Sequence, residues 1–281
     1  VLPRCKRRSE LRKQAGRLLY CLARRLRWLL DGKKYAGLVS ADPLPHVCAA
    51  HSTPMLRKLA NVDMWLQVNK VTNLRLAAGK LNGVVVMPGE TFSFWRLVGK
   101  PAARRGYLPG MVLCGGRFRP GVGGGLCQMT NLIYWMALHT PLTVTERHRH
   151  SYDVFPDSNR TQPFGSGATC AWNYLDLQIR NDTGIPFQLL VRQNGDHLEG
   201  QWRSAEPVPM RYEVYERDHR IDSNLWGGYV RHNEIWRRVL NGEGELVREE
   251  FVAENNALMM YQPLLGQVSA LKGIMDVGDR D

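Results

Sequence analysis

Three consecutive glycines, Gly123 to Gly125, run directly into Leu126-Cys127-Gln128 and constrain this chain more than any other stretch. Backbone without Cβ atoms takes positive φ readily and lets another group approach closely, a bound ligand included. Beyond them Met129, Leu132, Ile133, Met136 and Ala137 recur at helical spacing, which predicts a buried helix beginning near Cys127. A thiol is thereby set at a helix N-terminus, where orphan N–H groups and the positive end of the dipole favour an anion. Thiolates at such positions form well below the ordinary thiol pKa of about 8.5. Leu142 to Thr145 then alternates as a strand does and delivers His148 and His150 at its far end. A thiol opening a helix and an imidazole closing a strand are the two parts of a cysteine nucleophile site. The same residue types also serve as a small buried thiol and a surface histidine, so the pattern alone leaves both readings open.

Charge separates the chain into unequal parts. The formal net charge is +12, but residues 1–40 hold twelve of the 38 Lys+Arg and only two of the 26 Asp+Glu, leaving 26 basic against 24 acidic groups elsewhere. A nearly neutral body without a nucleic-acid motif argues against nucleic acid as a partner. The six cysteines (Cys5, Cys21, Cys48, Cys114, Cys127 and Cys170) form no Cys-x-x-Cys pair, which argues against a common zinc site, and no metal or cofactor is expected. Their wide spacing is unlike a small secreted disulfide framework and suggests a reducing compartment, although an even number permits bridges. No run of 18 or more apolar residues would span a bilayer, and no secretory signal is visible. These features suggest a cytoplasmic or membrane-peripheral protein unless a segment precedes Val1.

The expected class is α+β, in four segments. Residues 1–60 read as a basic leader and linker. Within it Leu11, Ala15, Leu18, Leu22, Leu26 and Leu29 form a helical stripe among arginines, and Asp42-Pro43-Leu44-Pro45 breaks the chain. Such a helix, over residues 11–30, fits either an anionic membrane surface or a leucine stripe packed on the body. Residues 61–205 read as one domain with a Cys-bearing helix on a sheet: a helix ending at Asn82-Gly83, strands at 84–87 and 91–94, an Arg- and Gly-rich loop over 99–125, then the Cys127 helix and further strands at 174–180 and 187–192. Residues 206–265 read as a β extension with Asn241-Gly242-Glu243-Gly244 as its hairpin turn, and 266–281 as a flexible tail.

Several ordered motifs resemble the VanW family. They are Leu81-Asn82-Gly83, Pro88-Gly89-Glu90, Phe92-Ser93-Phe94, Gly106-Tyr107, the run Gly123 to Gln128, and Glu146 to Ser151. Tyr229 to Asn233 and Ala257 to Tyr261 resemble the branch found in glycopeptide-resistance gene clusters. The resemblance implies a link to vancomycin-type resistance and peptidoglycan metabolism, and some proteins with this domain are regarded as cysteine L,D-transpeptidases. With it, Cys127 reads as nucleophile and His150 as base; Glu90, at the Pro88-Gly89 turn, reads either as a third catalytic group orienting His150 or as a turn-capping carboxylate. Gly124, Gly125, Gln128 and Thr130, with Tyr107, Arg147 and Ser151, become the substrate and oxyanion neighbourhood. One departure stands out: the family has Asp where this chain has Gly167, so Asp153, Asp157 or Glu90 would have to replace it, or the site would work as a dyad.

Two functions follow. One is acyl transfer on a peptidoglycan stem peptide or precursor through a Cys127 thioester. The other is a non-catalytic accessory protein that binds a cell-wall precursor or a resistance enzyme at the membrane.

Overall fold

The structure is a computed structural model that describes residues 9–56, 63–114, 117–154, 162–223 and 227–261. The tail expected over 266–281 and Asp157 lie outside the described residues. The architecture is α+β, and the chain divides into two units, 1–112 with 120–148 and 167–210, and 113–119 with 149–166 and 211–281.

The first unit begins with α1 (Glu10–Leu30), whose N-terminus is capped by Ser9 Oγ accepting the Arg12 N–H at 3.3 Å. Strands β1 (Lys34–Tyr35), β2 (Leu38–Val39) and β3 (His46–Pro54) follow. The segment read from sequence as linker therefore supplies three strands, with the Asp42 to Pro45 break lying between β2 and β3. Next come α2 (Met64–Leu81), β4 (Val84–Val86), β5 (Glu90–Ser93) and the short α3 (Phe94–Val98). A hairpin of β6 (Pro109–Cys114) and β7 (Arg117–Val122), of which residues 113–119 are assigned to the second unit, leads through the glycines to α4 (Cys127–Leu138), which is followed by β8 (Thr143–Glu146). After β9 (Tyr152–Asp153), which belongs to the second unit, the first resumes with β10 (Gln178–Arg180), β11 (Phe187–Asn194) and β12 (His197–Ser204).

Two sheets result. One has the order β1-β5-β10-β8 and the other β2-β4-β11-β12-β3. Every pairing is antiparallel except β1 with β5. Helix α4 seats on β12 where Gly200 leaves room: a Cβ there would come within 2.6 Å of Met136 Cε and 3.0 Å of Leu132 Cδ2. Beside that contact the Trp202 indole donates to the Ile133 carbonyl at 3.3 Å, which anchors helix to sheet. Leu74, Leu81, Val84, Phe92, Met129, Ile133 and Trp202 are fully buried and make this core.

The second unit is a meander of β13 (Arg211–Ser223), β14 (Tyr229–Leu240) and β15 (Leu246–Met259), with β9 parallel to β15. Asn241 shapes the expected hairpin turn, its Oδ1 accepting the Glu243 and Glu245 N–H groups at 3.0 and 2.9 Å. Inside the unit a buried Arg231–Asp153 ion pair at 3.3 Å is joined by the Tyr261 hydroxyl, 2.8 Å from Asp153.

Candidate functional site: a thiol pair at the start of α4

The glycine loop is shaped by close packing of the protein on itself. A Cβ at Gly124 would lie 2.2 Å from the Gly110 carbonyl carbon, so two backbones pass where no side chain fits. Gly125 has φ +91°, and a Cβ there would meet Lys70 Cγ at 2.2 Å. The close approach expected of a ligand is thus made at these positions by Gly110 and Lys70. Asn73, fully buried on α2, fastens the arrangement: its Nδ2 donates to the carbonyls of Gly124 (2.9 Å) and Leu108 (3.0 Å), and its Oδ1 accepts the Leu108 N–H at 2.8 Å.

Cys127 is the first residue of α4, and Leu126 before it offers no side-chain cap. Its sulfur lies 3.6 Å from the Cys170 carbonyl and 3.9 Å from the Cys170 sulfur, both thiols being reduced. Burial pushes the Cys170 thiol well above the ordinary range, and the neighbouring sulfur adds to the effect.

The segment carrying Cys170 is held from two sides. From α4, the Thr130 hydroxyl donates to the Ala168 carbonyl at 2.6 Å, and Asn131 Oδ1 accepts the Ala168 N–H at 2.7 Å. From the end of β8, Arg147 Nε donates to the Gly167 carbonyl at 2.9 Å, and the Thr169 N–H donates to the His148 carbonyl at 2.7 Å. The Arg147 guanidinium lies 5.0 Å from the Tyr134 ring centre, and burial lowers its pKa. A Cβ at Gly167 would come within 2.8 Å of Asn131 Oδ1, so in this chain an asparagine occupies the space beside the position where the resemblance implies a carboxylate.

A charged cluster adjoins that segment. Glu146 receives two hydrogen bonds from the buried Arg24, at 2.5 and 2.6 Å, and lies 2.9 Å from His148 Nε2. Burial alone would raise the Glu146 carboxyl; hydrogen bonds from His148 and Arg24, the Arg24 charge and the Asp176 N–H outweigh it and bring the carboxyl down to about 2. Asp176, fully buried, accepts from Ser93 Oγ (2.6 Å) and the Trp95 N–H (3.0 Å), while burial raises its pKa.

The candidates read from sequence therefore separate. Cys127, Thr130 and Arg147 converge on residues 167–170. Gln128 turns elsewhere: its side chain donates to the Pro54 carbonyl at 2.9 Å and its backbone N–H to Gly125 at 3.1 Å. Glu90 closes the Pro88-Gly89 turn by accepting the Met87 N–H at 3.0 Å. Tyr107 is buried, and burial raises its phenol pKa. His150 and Ser151 belong to the second unit, where the Ser151 carbonyl accepts the Leu258 N–H at 3.0 Å. Asp153, named as a substitute carboxylate, is committed there to Arg231 and Tyr261. Sequence reasoning missed the roles of Cys170, Asn131 and Arg24, whose partners lie far off in the chain. Among the described residues, no group of three or more His, Cys, Asp or Glu could hold a metal ion.

Comparison with known proteins adds a family to this geometry. A family model described as VanW like protein matches residues 69–203. The chain is 33% identical over 232 residues, 82% of its length and 84% of the relative's, to the Vancomycin B-type resistance protein VanW of Enterococcus faecalis. It is 29% identical over 160 residues, 57% of its length and 50% of the relative's, to the uncharacterized protein YoaR of Bacillus subtilis. No solved structure matches. With the glycine loop, the helix opened by Cys127 and the Glu146 to His148 strand end all inside the matched span, the chain belongs to the VanW family.

Proposed function

We propose that this chain contributes to glycopeptide resistance by acyl transfer on peptidoglycan stem peptides, with Cys127 as the nucleophile. The observation that carries this reading is the position of Cys127: a thiol at the first residue of α4, beside a second thiol that burial keeps protonated. Once Cys127 is ionised, the Cys170 S–H donates to it, and the helix dipole favours the same charge. The Cys127 proton passes to an imidazole, and the sulfur attacks the peptide carbonyl. The tetrahedral intermediate expels the amine, which takes the proton back from the imidazolium. A second amine then attacks the thioester, loses its proton to the imidazole and releases the thiolate. His150 is the base the family resemblance favours. His148 is the alternative within the first unit, and Glu146 would orient it as carboxylates orient catalytic histidines.

The test is alkylation. Iodoacetamide should modify Cys127 faster than Cys48 or Cys170 near pH 7, His150→Ala or His148→Ala should slow it, and Cys127→Ser should abolish stem-peptide turnover. Equal rates at all three thiols, with turnover intact in Cys127→Ser, would dismiss the nucleophile.

Gly167 favours a second reading, an accessory protein that binds a cell-wall precursor or a resistance enzyme without chemistry. The resemblance implies a carboxylate at that position, and Asn131 takes the neighbouring space here. Under this reading Cys127→Ser leaves resistance unchanged in cells.

A further inference from the structure

We infer that α1 is an interfacial helix that lays the first unit on an anionic phospholipid surface. Its leucine stripe faces away from the unit: Leu11, Leu18, Leu22, Leu26, Leu29 and Leu30 are between 56% and 79% exposed. The opposite face is the docked one. There Cys21, Arg24 and Trp28, spaced three and four residues apart, turn inward. Arg24 donates to Glu146 and to the Tyr174 carbonyl at 2.7 Å, Asn173 donates to the Cys21 carbonyl at 3.3 Å, and the rings of Tyr20 and Tyr174 lie 5.6 Å apart. The helix is thus fixed by its polar side and presents its apolar side outward, the reverse of a helix that contributes to a core.

Charge selects the occupant. At 100° per residue the stripe is bordered by Arg12 and Arg27 along one edge and Arg25 along the other, all exposed. A second copy of this face would bring edges of like sign together. Anionic headgroups neutralise both edges at once, while the leucines enter the acyl boundary and the long arginine stems reach back to the phosphates. Among the described residues no helix is long and apolar enough to cross a membrane, so α1 lies in the plane of the interface. Its seat is residues 173–174, close in sequence to Cys170, so lipid contact would hold that segment near the surface. The inference does not depend on the acyl-transfer reading.

Sedimentation of the full chain with vesicles tests it. Phosphatidylglycerol–phosphatidylcholine vesicles should carry the protein down and phosphatidylcholine alone should not, with binding falling as salt rises. Leu18→Ser/Leu22→Ser/Leu26→Ser, all at exposed positions, should lower partitioning by tenfold or more with an unchanged melting temperature. Neutralising Arg12, Arg25 and Arg27 to Gln should cost on the order of fivefold each. Cys127→Ser should bind as the unaltered chain does, which separates failure here from failure of the chemistry. Absence of binding, equal binding by the leucine variant, or a dimer that the leucine variant dissolves would overturn the inference.

Discussion

The sulfurs of Cys127 and Cys170, 43 residues apart in sequence, lie 3.9 Å from one another. A disulfide has its sulfurs at about 2.05 Å, so the pair is reduced and needs only a small movement to join. Diamide, accepting the two thiol hydrogens, should therefore link Cys127 to Cys170 in preference to Cys48. Peptide mapping by mass spectrometry should find that cross-link, and Cys170→Ser should prevent it and leave Cys127 open to alkylation after the same treatment. Random pairing among the cysteines would show that the two sulfurs do not meet in solution.

Glu146 gives the protein an acid limit. Its carboxyl ionises near 2 in the fold, against about 4.3 in an unfolded chain. A depressed carboxylate adds stability that is complete above the unfolded value and is lost as pH falls through the folded one. The contribution is on the order of 3 kcal/mol. Chemical denaturation between pH 6 and pH 2.5 should show that loss, and Glu146→Gln should flatten it. At neutral pH the same variant leaves Arg24 buried opposite an amide, and a loss of about 3 kcal/mol is expected.

Gly124→Ala should be severe because both partners in the contact are backbone. The new methyl would sit 2.2 Å from the Gly110 carbonyl carbon, and neither backbone segment can step aside cheaply. A loss of about 3 kcal/mol or more is expected from thermal melts. Gly242→Ala, where nothing lies within 4 Å, is the control and should stay within roughly 0.5 kcal/mol.

Asn73→Ala removes two donated bonds and one accepted bond from a site with no exposure. It takes the Asn73 partner from the Gly124 carbonyl and the Leu108 N–H, while the Leu108 carbonyl keeps the Gly123 N–H, at a cost of about 2–4 kcal/mol. Hydrogen exchange should then speed up at Leu108 more than at Ile179 in the neighbouring sheet.

Much of the fold was legible wherever apolar periodicity was strong. The helix opened by Cys127, the helix ending before Asn82-Gly83 and the hairpin at Asn241 to Gly244 each carry a local signal that tertiary contacts do not override. The strands β1 and β2 carry none, because two residues cannot display a period. The orientation of α1 was beyond a pattern reading: its leucines have the spacing of a core face, yet the buried residue among those described is Arg24, chosen by a carboxylate 122 positions away. The candidate site was half legible for the same reason. Cys127, Thr130 and Arg147 belong to motifs, whereas Cys170 and Asn131 acquire their roles only from a chain segment that returns to α4.

One amide on α2 carries a consequence for how this domain tolerates change. Because Asn73 grips the Leu108 carbonyl and the glycine loop together, the Cys127 sulfur takes its coordinates from a helix residue 51 positions upstream of Gly124. Insertions or deletions in the turns between them can alter the surface without displacing the sulfur, while a single methyl at the grip itself would move it.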